Sequence, residues 1–163
     1  MEIEVIVEIP KGSRNKYEVD HESGAIWLDR RLFTAMSYPA DYGFIPHTLS
    51  EDGDPLDAMV LLDEPTFPGC HIRARVLGVF WMTDEAGPNA KILCEPDADE
   101  RWEDLHDLSD LHRTHILDEI GHFFETYKAL EPGKGTETRG WEGRDAALAE
   151  IEASRTRFVP PSN

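Results

Sequence analysis

The spacing of apolar residues changes once along this chain, and that change restricts the fold more than any other sequence feature. As far as Cys94, apolar residues recur at every second position in short runs. In the first run Ile3, Val5, Val7 and Ile9 share one face, and the other face carries Glu2, Glu4, Ile6 and Glu8. A period of two is typical of half-buried strands. From Leu108 onward the apolar residues recur at steps of three and four, which is typical of amphipathic helices. Strands first and helices last predict an α+β fold.

The turn residues divide the first part of the chain into short strands. Strands are predicted at residues 3–9, 16–20, 25–30, 58–62, 72–82 and 91–94, with a polar loop at 38–54 and a hairpin at 83–90. Two helices follow. The first is marked by Leu111, Ile116, Ile120, Phe123, Phe124 and Tyr127, and the second by Trp141, Leu148, Ile151 and Phe158. This pattern predicts a closed or nearly closed antiparallel barrel with two C-terminal helices.

Length and composition favour a soluble, intracellular protein. The 163 residues, of which 40% are apolar, fit a single domain spanning residues 1–163. The longest apolar run, Val76–Met82, is too short to span a bilayer, and no basic stretch followed by an apolar one opens the chain. Cys70 and Cys94 lack partners at zinc-ligand spacing and are interpreted as reduced thiols. We therefore expect a cytoplasmic location and no membrane partner.

The charge balance is strongly acidic. The chain has 33 Asp and Glu against 16 Lys and Arg, which gives a formal net charge of -17. A nucleic-acid backbone would be repelled by such a surface, so we expect no nucleic-acid partner. Two explanations stay open: a generally acidic surface for solubility, and carboxylates gathered to hold hard cations.

The densest acidic cluster is Glu51–Asp57, which places four carboxylates within seven residues. Such residues are common in solvated turns, and this interpretation stays open for the cluster alone. An EF-hand calcium loop is disfavoured because Asp57 stands where that loop needs glycine and Pro55 interrupts it. A site that holds several cations is the third interpretation.

Charged residues elsewhere in the predicted barrel favour the cation site. Glu8 projects from the polar face of the first strand, Lys16 and Glu18 share one face of the second, and Arg30 ends the third. The predicted hairpin at 83–90 brings a further set to one end of the barrel, namely Asp84, Asn89 and Lys91. Carboxylates for Mg²⁺ and cationic side chains for phosphoryl oxygens are the two ingredients of phosphoryl-transfer sites.

The chain resembles a known family through most of its length. The segments that carry the resemblance are Glu8–Glu18, Tyr38–Pro46, Asp52–Asp57 and His122–Lys128, and the third has the pattern Asp-x-Asp-Pro-x-Asp. In these segments the chain is similar to the soluble family I inorganic pyrophosphatases of the bacterial type. The resemblance implies an OB-like five-stranded antiparallel barrel, an assembly that is usually a homohexamer in bacteria, and Mg²⁺-dependent hydrolysis of pyrophosphate to two orthophosphates.

The resemblance also implies a role for each matching residue. Asp54 is the implied general base, and Tyr42 lies near the attacking water, which the metal ions activate for direct attack on phosphorus. Several Mg²⁺ ions per site are implied, held directly by Asp52, Asp57 and Asp84 and through waters by Glu8 and Glu18. The implied substrate-binding residues are Lys16, Arg30, Tyr38, Lys91, Tyr127 and Lys128.

One position departs from the family pattern. The family has a second aspartate two residues before the lysine of this hairpin, where this chain has Asn89. The amide oxygen of Asn89 can still contact Mg²⁺, but the side chain lacks the formal charge and one acceptor oxygen of an aspartate. An impaired or inactive variant that binds metal or pyrophosphate is therefore one alternative function, and a non-catalytic OB-like binding module is another.

Histidines and tryptophans receive no functional assignment from the sequence. His112 and His115 have helical spacing, but no third ligand completes a metal site, so a solvated or interface face is favoured. His21 follows the second strand and is interpreted as a turn residue, with the rim of the site as the alternative.

Overall fold

Nine strands and two helices form the regular structure of the computed structural model, which describes residues 2–111 and 114–160. The strands are β1 (Glu2–Ile9), β2 (Asn15–Val19), β3 (Ile26–Arg31), β4 (Asp41–Phe44), β5 (Asp57–Val60), β6 (His71–Asp84), β7 (Gly87–Pro88), β8 (Lys91–Pro96) and β9 (Thr136–Gly143). The helices are α1 (Thr114–Thr126) and α2 (Arg144–Arg157). This sheet-dominated arrangement with two helices confirms the predicted α+β class.

Five strands pair with one another in a closed ring that begins and ends at β1. β1 pairs antiparallel with β4 and β6, β4 with β5, and β6 with β8. β5 and β8, however, are parallel. The prediction of a purely antiparallel barrel is therefore wrong at this pair, because the chain passes through β6 and β7 before it returns beside β5. β2 and β3 form a separate two-stranded sheet.

Both faces of the central strands are buried. Ala58 and Ile92 belong to one apolar cluster, whereas their neighbours Met59 and Leu93 belong to another. α2 packs Ile151 into the first cluster, and α1 packs its aromatic residues into the second. Strands that are buried on both faces have continuous apolar sequences, which explains why 58–62 lacks the clear alternation of β1.

Three element boundaries differ from the sequence prediction. β4 lies inside the segment predicted as a loop. Leu108 belongs to a 3₁₀ turn and Leu111 directly follows that turn, so neither residue lies on α1 as predicted. Trp141, predicted to lie on the second helix, lies on β9 and is the register partner of Phe80 on β6. Its seven-residue spacing to Leu148, which equals two helical turns, is thus coincidental. Neither helix in residues 2–111 and 114–160 is both long and apolar enough to span a membrane.

Gly43 allows β4 to approach β1 closely. A Cβ atom at this position would lie 1.9 Å from the carbonyl oxygen of Ile6. Because that oxygen belongs to the backbone of a paired strand, it cannot move without disturbing the sheet. We expect Gly43→Ala to lower the free energy of unfolding by about 3 kcal/mol, measured by chemical denaturation.

Gly135→Ala is the matched control, since a Cβ atom at Gly135 would meet no atom within 4 Å. We expect this control to stay within about 0.5 kcal/mol of the parent chain. Equal stability of the two variants would contradict the close approach of β4 to β1.

Candidate active site

One cavity of about 410 Å³ collects charged side chains from five parts of the chain. They come from β1, the β2–β3 hairpin, the turn before β5, the β6–β7 hairpin with the start of β8, and the end of α1. Of the residues selected from the sequence, these line it: Glu8, Lys16, Glu18, Arg30, Tyr42, Asp52, Asp54, Asp57, Asp84, Asn89, Lys91, Tyr127 and Lys128. Tyr38 does not; it is buried behind Tyr42, with the ring centroids 5.4 Å apart.

The acidic turn before β5 directs its aspartates into the cavity. Gly53 has a φ of 92°, a left-handed conformation that glycine adopts without strain. The Asp54 N–H donates to Asp52 Oδ1 at 3.1 Å, so these two residues are held in a compact turn. Glu51 points elsewhere and lies 3.7 Å from an Arg157 nitrogen. The turn thus presents three carboxylates rather than four.

Asp57 and Lys91 are register partners at the first residues of the parallel strands β5 and β8. The Lys91 ammonium donates to Asp57 Oδ2 and to the Tyr42 hydroxyl oxygen, each at 2.6 Å. Lys91 is only 1% exposed, and its ammonium lies 5.4 Å from the centroid of the Phe124 ring. Burial raises the pKa of the Tyr42 hydroxyl well above its ordinary value. Tyr42 is therefore a neutral phenol at neutral pH.

The β6–β7 hairpin brings Asp84 and Asn89 together. The Asn89 amide nitrogen donates to Asp84 Oδ2 at 3.2 Å, and the Lys128 ammonium lies 3.4 Å from the same oxygen. Lys128 also donates to Glu85 Oε1 at 3.3 Å. The amide oxygen of Asn89 is buried without a hydrogen-bond partner, although the residue lines the cavity. An oxygen in this position fits a cation as its partner.

The β2–β3 hairpin contributes two cations and two carboxylates. The Lys16 ammonium donates to Glu18 Oε1 and to Asp29 Oδ2, the latter at 3.2 Å, and Arg30 donates to the same Asp29 oxygen. Glu8 anchors the hairpin to β1, because its Oε2 accepts from the Val19 N–H at 2.8 Å.

The cavity carboxylates differ in how far nearby positive charges and hydrogen bonds stabilise their ionised form. Burial raises the pKa of Glu8 to about 7 and that of Asp52 to about 6. Burial, followed by the charges of Asp57 and Glu18, also raises the pKa of Asp54. For Asp84, burial acts in the same direction, but hydrogen bonds from Ala86 and Asn89 and the Lys128 charge lower its pKa overall. A bound cation would therefore be stabilised most strongly near Glu8, Asp52 and Asp54.

The donor set of the cavity suits hard divalent cations. All its acidic side chains present oxygen, the ligand that Mg²⁺ prefers, and the unpartnered Asn89 oxygen adds a neutral donor. Among residues 2–111 and 114–160, no three His, Cys, Asp or Glu side chains already converge on a common point. Ammonium groups contact Glu18, Asp57 and Asp84 instead.

Several residues at the site were missed by sequence reasoning. Asp29, Glu85 and Lys134 line the cavity but had received no role. His21 also lines it, as its alternative placement at the rim predicted, and its ring packs edge-on against Phe44 with centroids 4.9 Å apart. The interpretation of His21 as an ordinary turn residue is therefore incomplete. Asp29 and Glu85 each adjoin a selected residue, which was the available sequence signal. His115 is exposed and pairs with Glu119, and His112 lies outside the described residues.

The cavity holds carboxylates and cationic side chains close together. This arrangement is typical of metal-dependent enzymes that act on phosphate esters or anhydrides. The inorganic pyrophosphatase family model matches residues 5–159. The chain belongs to the inorganic pyrophosphatase family.

Curated relatives and solved structures agree with this assignment. The inorganic pyrophosphatase of Streptomyces coelicolor is 63% identical over 158 residues, covering 97% of this chain and 96% of the relative. That of Corynebacterium efficiens is 57% identical, covering 97% and 99%. The solved inorganic pyrophosphatase of Coxiella burnetii superimposes with a TM-score of 0.93 at 46% identity, covering 97% and 95%. That of Thermus thermophilus gives 0.92 at 47%, covering 96% and 90%.

Proposed function

We propose that this cavity hydrolyses magnesium pyrophosphate to two orthophosphates by direct attack of water. The observation that carries the proposal is the charge of the cavity: eight carboxylates and five Lys or Arg side chains line it. The walls are thus negative overall, yet pyrophosphate is a polyanion. Such a site binds its substrate only together with added cations, while its lysines and arginine contact the phosphoryl oxygens.

The proposed metal ligands are Asp52, Asp57, Asp84 and Asn89, with Glu8 and Glu18 acting through waters. When bound, Mg²⁺ supplies positive charge that neutralises the substrate and lowers the pKa of water. The raised pKa values of Glu8 and Asp52 and the unpartnered Asn89 oxygen support this assignment.

The chain's own residues provide base catalysis and substrate binding. Asp54 takes the proton as the oxygen of water bonds to phosphorus and the bridging P–O bond breaks. Tyr42, held by Lys91, orients groups at this end of the cavity. Negative charge that develops on the leaving orthophosphate is stabilised by the cationic and phenolic side chains, namely Lys16, Arg30, Lys91, Tyr127 and Lys128. Tyr38 supports Tyr42 from behind rather than binding substrate, which revises its implied role.

The test is orthophosphate release from pyrophosphate across a Mg²⁺ titration, run on this chain and on Asn89→Asp. Restoring a carboxylate beside Asp84 adds a unit of negative charge near the proposed cation. We therefore expect the Mg²⁺ concentration for half-maximal activity to fall by about 10-fold. Calorimetric titration of Mg²⁺ without substrate provides a readout that does not depend on turnover.

Asn15→Asp is the control, since it adds the same charge at a residue that does not line the cavity. An equal shift in both variants would mean that overall charge, not position 89, sets the metal requirement. No phosphate release from the folded parent would refute the proposed reaction. The non-catalytic alternatives are not favoured, because the chain matches named enzymes along nearly its whole length.

The remaining proposals concern the surroundings of the site. We propose that the ring of pairings among β1, β4, β5, β8 and β6 is the OB-like barrel of a single domain spanning residues 1–163. We also propose a cytoplasmic homo-oligomer, namely the hexamer that the family resemblance implies. Large apolar side chains exposed on the surface, Trp27, Leu28, Phe33, Phe67 and Leu130, support assembly.

A further inference from the structure

Glu131 is a buried carboxylate just outside the cavity. It follows α1, and its N–H donates to the Lys128 carbonyl oxygen at 2.9 Å, so it lies in the same turn as that cavity lysine. Its side chain is 3% exposed and does not line the cavity. A buried carboxylate requires a partner to offset the loss of hydration.

The nearest partner of Glu131 is Arg30, which lies 101 positions earlier in the chain. The Lys134 ammonium is farther away, 3.8 Å from Glu131 Oε1. Arg30 Nη2 donates to Glu131 Oε2 at 3.1 Å, and Arg30 Nε makes an ion-pair contact with Glu131 Oε1 at 2.7 Å that is not aligned as a hydrogen bond. Contact at two points fixes the plane of a guanidinium as well as its position. Arg30 itself lines the cavity.

We infer that Glu131 is a positioning residue, which holds one edge of the Arg30 guanidinium from behind and directs the other edge toward substrate phosphoryl oxygens. This inference rests on the proposed role of Arg30. The free edge carries Nη1, which donates to Asp29 Oδ2. The Asp29 side chain is 34% exposed and lines the cavity, so a phosphoryl oxygen can replace it as acceptor.

Glu131 also joins two parts of the fold that carry substrate-binding cations. Arg30 belongs to the two-stranded β2–β3 sheet, which is separate from the main sheet. Glu131 belongs to the turn after α1, together with Lys128. The pair therefore fixes the hairpin relative to the end of α1, and a change at Glu131 acts on the substrate through Arg30.

The negative charge of Glu131 and its positioning of Arg30 have opposite effects on the affinity for the phosphoryl group. A carboxylate beside Arg30 reduces the attraction of the guanidinium for phosphate, whereas fixing its plane lowers the entropy lost on binding. The two effects predict opposite results for Glu131→Gln, which removes the charge but keeps the shape. Positioning predicts weaker binding, and neutralisation alone predicts tighter binding.

The experiment compares Glu131→Gln with Glu95→Gln. Glu95 is also buried beside an arginine, with Oε1 2.8 Å from Arg75 Nη2, but it does not line or adjoin the cavity. The measurements are KM and kcat for magnesium pyrophosphate, and calorimetric binding of methylenediphosphonate, a non-hydrolysable probe, in the presence of Mg²⁺. We expect Glu131→Gln to raise KM and the probe Kd by about 10-fold, and Glu95→Gln to change neither.

Arg30 variants distinguish positioning from a general structural role. Arg30→Gln is expected to weaken probe binding, and adding Glu131→Gln to it is expected to cause no further loss. Arg30→Lys keeps the charge but cannot make the two-point contact, so we expect it to raise the probe Kd about as much as Glu131→Gln does. Because it leaves Glu131 unchanged, this variant tests positioning even if Glu131→Gln folds poorly.

Each outcome has a distinct meaning. Unchanged binding in Arg30→Gln would refute the proposed role of Arg30 in the site, and the inference with it. Weakened binding in Arg30→Gln together with any of three results would overturn the inference about Glu131 alone: tighter binding in Glu131→Gln, additive losses, or parent-like binding in Arg30→Lys.

Discussion

Replacing Asp54 by asparagine is expected to lower kcat by about 10³-fold, the magnitude typical of a lost general base. The amide has nearly the same shape but cannot accept the proton of the attacking water. Asp54 lies between the proposed metal ligands Asp52 and Asp57 in the sequence and lines the same cavity, so its carboxylate can reach a water held there. The measurement is kcat at saturating Mg²⁺ and pyrophosphate.

The fold is expected to survive this change. Asp54 is exposed overall, although part of its side chain is desolvated, and its backbone makes the turn contacts, accepting from the Ser50 N–H at 2.7 Å. Asp20→Asn is the control, because Asp20 accepts from Glu22 and Ser23 in a turn and does not line the cavity. A normal kcat in Asp54→Asn would assign the base to another group.

Removing divalent cations is expected to have an effect of similar size. With excess chelator, we expect phosphate release to fall by about 10³-fold or more, equivalent to about 4 kcal/mol of barrier. The physical reason is that the carboxylates outnumber the cationic side chains around a polyanionic substrate. Activity is measured before chelation, after it, and after Mg²⁺ is added back.

Loss of structure would produce the same result, so thermal unfolding is followed in parallel. Most residues of the two apolar clusters lie away from the cavity, so we expect the chelated protein to stay folded. Undiminished activity in the folded, chelated protein would contradict a metal requirement. Failure of Mg²⁺ to restore activity, where another divalent cation does, would instead correct the identity of the metal.

Much of the fold could be predicted because burial follows the sequence pattern directly. In β1, the alternating apolar residues Ile3, Val5, Val7 and Ile9 are buried as predicted. β4 could not be found, since Asp41–Phe44 is buried at every residue and contains a glycine, so it has no alternation. Trp141 was assigned to a helix because periodicity alone does not show that β9 pairs with β6.

The residues of the candidate site likewise include some that the sequence could identify and some that it could not. Asp52, Asp54 and Asp57 were recognisable because their motif is local, and the cavity does collect them. Glu131 was not recognisable, because its partner Arg30 is 101 positions away and only the folded chain brings them together. Tyr38 belongs to a recognisable segment, but its burial behind Tyr42 depends on packing against Phe123.

The parallel pairing of Asp57 with Lys91 also protects the chain from misfolding. Alternate residues of a strand face opposite sides, so a slip of β8 by one residue would turn Lys91 toward the apolar cluster that contains Ala58 and Ile92. An unpaired ammonium there would be strongly destabilising. The Asp57–Lys91 ion pair thus favours the correct strand alignment, so variants at Lys91 should be examined for aggregation as well as for turnover.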